Sequence, residues 1–226
     1  MSRTTTGRAI GALFLLAFLA YGGGSALVEA AAGDGAGQPP SQLLTSMGVL
    51  LIVVNSMIVA AIGVLATVVL RQHDAFAAYT YLATRLLEAV LLTVGALALL
   101  LAASPTLAEG TAGVDGALLA TSAVEANDNA YTIAMLFLGL GSLPFCRALL
   151  RSHLIPRPLA LWGLLGYAVV AVGMGLELVG YGIGMAVWIP GGLFEVALGV
   201  LLVVRGFPRG AAPVARRDQS DAMADA

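Results

Sequence analysis

The side chains with the clearest chemical potential are four charged residues inside long apolar stretches: Arg85, Glu88, Glu177 and Glu195. A charged side chain at the centre of a membrane-spanning helix costs about 2.5 to 3.5 kcal/mol, so four unpaired charges would cost on the order of 10 kcal/mol. One guanidinium neutralises one carboxylate, and the two remaining carboxyls then need a proton, a bound cation or a water-filled cavity. We therefore expect these side chains to meet inside the protein.

Spacing on the third apolar stretch supports this expectation. Tyr81, Thr84, Arg85 and Glu88 follow an i, i+3, i+4, i+7 pattern, which places them on one face of a helix. Counting residues from the ends of the spans puts Asn55 and Glu195 at a similar depth and Glu177 nearer the outer face. The predicted buried polar cluster comprises Arg85, Glu88, Glu177, Glu195, Asn55 and Tyr81.

Composition identifies the solvent that surrounds these residues. The chain has 226 residues, of which 59% are hydrophobic and 11% are charged, outside the usual range of a soluble domain. The formal net charge of -2 argues against a nucleic-acid partner. These values indicate an integral membrane protein whose surroundings are lipids.

Hydropathy predicts an all-α bundle with six spans, at about 10–30, 43–70, 75–103, 130–150, 159–181 and 183–204. The first stretch also resembles a secretory signal, but its length of about 20 residues favours an uncleaved span. Residues 117–126 are expected either to extend the fourth helix or to lie along the membrane surface. The polar segment 205–226 is expected to be a disordered cytoplasmic tail.

The positions of the arginines predict the topology. All eleven positive residues are arginines, and ten of them fall on one side of the six-span pattern, leaving Arg85 alone inside it. Short loops retain arginine on the cytoplasmic side. Both termini are therefore expected on the cytoplasmic side of the membrane.

Missing residue types exclude several activities. The chain has no lysine, which removes a retinal Schiff base and a Walker-type phosphate site. His73 and His153 fall in inner loops, which disfavours a haem or zinc site within the membrane, and a single cysteine, Cys146, cannot form an internal disulfide. We predict no catalytic, cofactor-binding or metal-binding residue, and a lipid-modifying enzyme would need a nucleophile that this pattern lacks.

Two interpretations of the polar cluster remain open. It either sets the register of the helices and does nothing more, or it lines a cavity for a proton, a cation or a small polar solute. The first interpretation predicts a non-catalytic membrane component that interacts with lipids or other membrane proteins. The second predicts a transporter of small solutes coupled to protons or cations.

Three motifs connect the chain to a known family: R-x-x-E at 85–88, R-S-x-x-x-P-R at 151–157, and L-W-G-L-L-G-Y at 161–167. With these motifs the sequence resembles the bacterial membrane family named domain of unknown function 4386, over most of its length. The resemblance implies an inner-membrane protein with about six helices, in which the pair Arg85 and Glu88 belongs to a shared pattern. It implies no substrate, and Glu177 and Glu195 match none of its motifs.

Overall fold

The computed structural model describes residues 2–32, 41–104 and 116–208, and everything described is helix or connecting segment. Within these ranges six long α-helices follow one another, with a 3-10 helix at Met185–Trp188 before the last. Their bounds are α1 Arg3–Ala32, α2 Gln42–Leu70, α3 Ala75–Ala102, α4 Gly116–Ser152, α5 Arg157–Leu178 and α6 Ile189–Arg205. The predicted all-α class is thus confirmed.

Each helix packs against the next one in the chain, and α6 packs back against α1. This order closes the six helices into a ring. Because consecutive helices are antiparallel neighbours, two short connections suffice at one end: 71–74 between α2 and α3 and 153–156 between α4 and α5. A ring of six leaves room at its centre, so inward-facing side chains of all the helices can meet.

All six helices are long and apolar enough to cross a membrane. Many large apolar side chains point out of the ring, among them Leu19, Met57, Leu165 and Val204, each more than 60% exposed. In water such an apolar surface would be unfavourable, whereas the hydrocarbon of a membrane is equally apolar and can surround it without cost. The chain is a multi-pass membrane protein.

Two helix boundaries differ from the sequence expectation. The fourth helix begins at Gly116, so the described part of 117–126 extends α4. The fifth ends at Leu178, and α6 begins only at Ile189, because Gly180, Gly182 and Gly184 all have positive φ angles that interrupt a right-handed helix. The expected disordered tail lies almost entirely outside the described residues, which end at 208.

Charge separates the two ends of the ring. Apart from Arg85, the described arginines lie at the end formed by the first residues of α1, α3 and α5 and the last residues of α2, α4 and α6, which we call the arginine end. Glu29, Glu125, Asp128 and Glu177 lie toward the opposite end, which we call the acidic end. The ring therefore has a defined polarity along its axis.

Candidate functional site

Three polar residues from three helices lie at the same depth. Arg85 on α3, Tyr167 on α5 and Glu195 on α6 are each ten residues from the arginine end of their helix (75 to 85, 157 to 167, 195 to 205). At about 1.5 Å per residue, each lies about 15 Å from that end. The centre of the ring at this level is therefore polar.

Helix α3 supplies most of the cluster from one face. Its N-cap residue, Asp74, accepts a hydrogen bond from the backbone N–H of Ala77 at 3.0 Å, which starts the helix at a defined residue. From that start, Tyr81, Arg85 and Glu88 fall on the buried face and are 0%, 2% and 3% exposed. The predicted polar stripe on this helix faces the protein and not the lipid.

The Arg85 guanidinium has a partner at each of its three nitrogens. Its Nε donates to the Tyr81 hydroxyl at 2.8 Å, and Nη1 donates to Glu88 Oε1 and Oε2 at 3.3 and 3.0 Å. Its Nη2 donates to Glu195 Oε1 in a second ion pair. The rings of Phe14 and Tyr81 lie 5.4 and 5.0 Å from the guanidinium carbon, within cation–π range. Arg85 is thus enclosed by charge, hydrogen bonds and aromatic faces.

The Glu195 carboxylate connects α3 to α5 and α6. Its Oε1 accepts hydrogen bonds both from Arg85 and from the Tyr167 hydroxyl, the latter at 2.6 Å. Tyr167 in turn packs edge-on against Phe194 on α6, with ring centroids 5.6 Å apart. A single carboxylate oxygen therefore joins three helices of the ring.

Two glycines allow the helices to come close enough for these bonds. A Cβ at Gly63 on α2 would lie 3.0 Å from the Arg85 Cβ, so the absence of a side chain there leaves room for the arginine stem. A Cβ at Gly166 on α5 would lie 3.0 Å from the Pro190 carbonyl oxygen on α6. Small residues at such crossings are the usual means of close packing between membrane helices.

A cavity of about 290 Å³ lies beside the cluster and is lined by residues from all six helices. Arg85, Glu88 and Glu195 form its charged side, and Asn55, Tyr21 and Tyr131 add further polar groups. Tyr21 on α1 and Tyr131 on α4 stack across the ring with centroids 5.5 Å apart. The buried cluster is therefore next to open space.

The cavity occupies the half of the ring toward the acidic end. Its lining runs on α1 from Phe14 to Ser25, about 16 to 33 Å from the arginine end at about 1.5 Å per residue. Arg85 and Glu88 are buried, while Tyr21, Ser25, Tyr131 and Trp188 are partly exposed. The described lining residues beyond the cluster, toward the acidic end, are thus more exposed than Arg85 and Glu88.

The other half of the ring is closely packed. Between Arg85 and the arginine end, Tyr81 stacks on Phe145 with centroids only 4.0 Å apart. Around and beyond this pair, five core side chains are at most 2% exposed: Ile10, Leu70, Ala77, Leu149 and Leu202. This apolar layer, which we call the plug, separates the cluster from the arginine end.

Not every residue predicted for the cluster belongs to it. The structure brings together Arg85, Glu88, Glu195 and Tyr81, and Asn55 lines the same cavity. Glu177 is the exception, since it lies one residue before the end of α5 and is only partly buried. Its Oε2 accepts a hydrogen bond from the backbone N–H of Gly184 at 2.9 Å, so it stabilises the connection to the 3-10 helix.

Comparison with known proteins places this ring in a family. The family model described as domain of unknown function (DUF4386) matches residues 9–206. The chain belongs to the DUF4386 family. A search of curated proteins finds no match, and a search of solved structures finds none either.

In this DUF4386 protein the sequence analysis missed two residues of the cluster. Tyr167 was noted only as part of a family motif, although counting ten residues from Arg157 would have placed it at the level of Arg85 and Glu195. Phe14 contacts the guanidinium through its ring face, and an apolar residue in an apolar span gives no signal of that role.

The described part of this DUF4386 protein contains no group of three or more His, Cys, Asp or Glu side chains placed to hold a metal ion. The chemistry available at the cluster is therefore that of two carboxyls, one guanidinium and two tyrosine hydroxyls. Such groups can bind a cation, hold a proton, or orient a polar solute.

Proposed function

We propose that the protein is a carrier of small solutes across the membrane, coupled to a proton or cation that binds at Glu88 and Glu195. The observation that carries the proposal is the cavity of about 290 Å³ that all six helices line and that the cluster borders. Ionisable groups inside a membrane bundle commonly mark ion or substrate pathways when they meet a cavity.

The unequal packing of the two halves of the ring supports this function. A carrier must expose its binding site to one side of the membrane at a time, and here the cavity extends from the cluster toward the acidic end while the plug fills the ring toward the arginine end. Transport would then require the plug to open, which the stacked pair of Tyr81 and Phe145 resists.

The charge polarity of the ring sets the proposed orientation. Because arginine-bearing short loops remain in the cytoplasm, we place the arginine end and both termini on that side of a bacterial inner membrane. In this orientation the cavity faces outward, so we propose an outward-facing state of the carrier.

Purified protein reconstituted in liposomes on a solid-supported membrane tests the proposal. The buffer is exchanged rapidly for one of lower pH, for one containing Na⁺, or for one containing an amino acid, a sugar or choline. At least one of these exchanges should evoke a charge-displacement current. The variant Glu195→Gln should lose that current because it removes a carboxylate that borders the cavity.

Glu177→Gln provides the matched control, since it makes the same chemical change outside the cluster. It should keep the current of the unmodified chain. The proposal fails if no exchange gives a current above that of empty liposomes, or if Glu195→Gln transports as well as Glu177→Gln.

The alternative function is a non-catalytic membrane component that interacts with lipids or other membrane proteins. The pairing of all three Arg85 nitrogens favours it, because a guanidinium held on α3 and bonded to Glu195 on α6 can serve as a clamp between helices. Exposed Arg147, Arg151 and Arg157 at the arginine end would then contact anionic lipid headgroups. Stable folding of the reconstituted protein without any current would favour this function.

A further inference from the structure

Carboxyl groups outnumber guanidinium groups at the cavity. Its charged lining residues are Arg85, Glu88 and Glu195, so two carboxyl groups share one guanidinium, and when both are ionised the cavity has one negative charge in excess. We propose that the cavity binds a small organic cation of the alkylammonium class, with its charge against Glu195 and its apolar groups against the aromatic lining. This inference rests on the proposed function, because the same cavity would be the transport site.

Glu195 has an acceptor left for such a ligand. Its Oε1 takes the hydrogen bonds of both Arg85 and Tyr167, while its Oε2 takes none from the described residues. The Glu195 side chain is 12% exposed, compared with 4% for Glu88, whose two oxygens both face Arg85. Glu195 is therefore the carboxylate better able to meet a cation in the cavity.

A second helix presents an unpaired polar group to the same space. Asn55 on α2 lines the cavity and is 4% exposed, and its side-chain amide makes no hydrogen bond within the described chain. Because this amide borders the cavity, water or a ligand can supply its hydrogen bonds. Its carbonyl oxygen is suited to accept a hydrogen bond from an ammonium N–H or a ligand hydroxyl.

The rest of the lining favours cations with apolar substituents. Six aromatic residues surround the space: Phe14, Phe18, Tyr21, Tyr131, Tyr167 and Trp188. Aromatic faces attract ammonium groups and also accommodate their alkyl carbons, whereas a carboxylate ligand would meet the excess negative charge. The volume of about 290 Å³ is at the lower end of the range for small-molecule sites, so the ligand must be small.

The test compares cations with a neutral molecule of the same shape. Binding of choline, tetramethylammonium and tetraethylammonium to the purified full-length chain in a non-ionic detergent is measured by isothermal titration calorimetry. The neutral probe is 3,3-dimethyl-1-butanol, in which carbon replaces the choline nitrogen. We expect at least one cation to bind at least about tenfold more tightly than this probe.

Two variants locate the binding site. Glu195→Gln should weaken binding of that cation at least about tenfold, and Asn55→Leu should also weaken it, while Glu177→Gln should change it less than about twofold. Size-exclusion profiles and melting temperatures establish that each variant is folded. The inference is overturned if the neutral probe binds as tightly as every cation, or if folded Glu195→Gln binds the cation unchanged.

The outcomes separate this inference from the proposed function. Cation binding that depends on Glu195, without any current in liposomes, supports the ligand class and refutes the carrier. A current evoked by another solute, with no preference for alkylammonium ions over the neutral probe, supports the carrier and refutes the ligand class.

Discussion

Replacing Arg85 by leucine tests whether the cluster stabilises the helix ring. The substitution removes hydrogen bonds to Tyr81, Glu88 and Glu195 and leaves both carboxyls without their cation. Removing one partner of a buried ion pair costs about 3 to 5 kcal/mol. Three hydrogen bonds of a charged donor, at about 1.5 to 3 kcal/mol each, would give more, but the carboxyls can take up protons and recover part of the loss. We expect the free energy of unfolding to fall by about 3 to 5 kcal/mol.

The measurement is reversible unfolding in mixed micelles of a mild detergent and sodium dodecyl sulfate, followed by tryptophan fluorescence. The triple variant Arg85→Leu, Glu88→Gln and Glu195→Gln contains no buried charge at this level, so it should be more stable than Arg85→Leu alone by at least about 1 kcal/mol. Exposed Arg151→Leu is the control and should change stability by less than about 0.5 kcal/mol. If Arg85→Leu matches this control, or if the triple variant gains nothing, the cluster does not hold the helices together by charge.

Two further predictions concern packing and access. Gly24→Ala should destabilise the protein by about 1 to 3 kcal/mol in the same unfolding assay, because its Cβ would lie 2.7 Å from the Gly48 carbonyl oxygen. Adjacent Gly23→Ala should be nearly neutral, since the nearest atom to its Cβ is 3.7 Å away, and equal losses for the two variants would contradict the observed α1–α2 approach. In a Cys146→Ala background, Ser25→Cys should react with a membrane-impermeant thiol reagent added outside intact cells, whereas Ala148→Cys should stay unlabelled because that position is 2% exposed. Labelling of both positions, or of neither, would contradict an outward-facing cavity above a closed plug.

The six helices could be predicted because the relevant signal is local. A helix in lipid satisfies its own backbone hydrogen bonds, so a long apolar stretch is sufficient to specify it. The same is true of the polar face of α3, since Tyr81, Arg85 and Glu88 share one helix and their geometry follows from its period alone. Counting depth added Glu195, because both α3 and α6 run without interruption from the arginine end.

Depth counting placed Glu177 nearer the outer face, as observed, but its assignment to the cluster assumed that α5 continues past this residue. The helix ends at Leu178, and the glycines that follow have positive φ angles, so the carboxylate lies at the edge of the ring. Which helices are neighbours could not be predicted from the sequence either. Nothing in the hydropathy of α5 indicates that Tyr167 faces Glu195. Those contacts depend on which helices adjoin in the ring, and that order is a property of the packing of the whole chain.

The excess carboxylate is the strongest argument that the cluster does more than set helix register. A clamp between α3 and α6 needs an acceptor for Arg85 and Tyr167, and the neutral carbonyl oxygen of glutamine at position 195 would provide one. When both carboxyls are ionised, the second one adds a desolvation cost of several kcal/mol. The single guanidinium cannot compensate the desolvation of both carboxylates. Only one oxygen of Glu195 is paired, because Oε1 takes both hydrogen bonds and Oε2 takes none from the described residues. A second carboxylate that lowers the stability of the ring is best explained by a binding partner that enters the cavity. A proton or an organic cation carries the positive charge that would neutralise it.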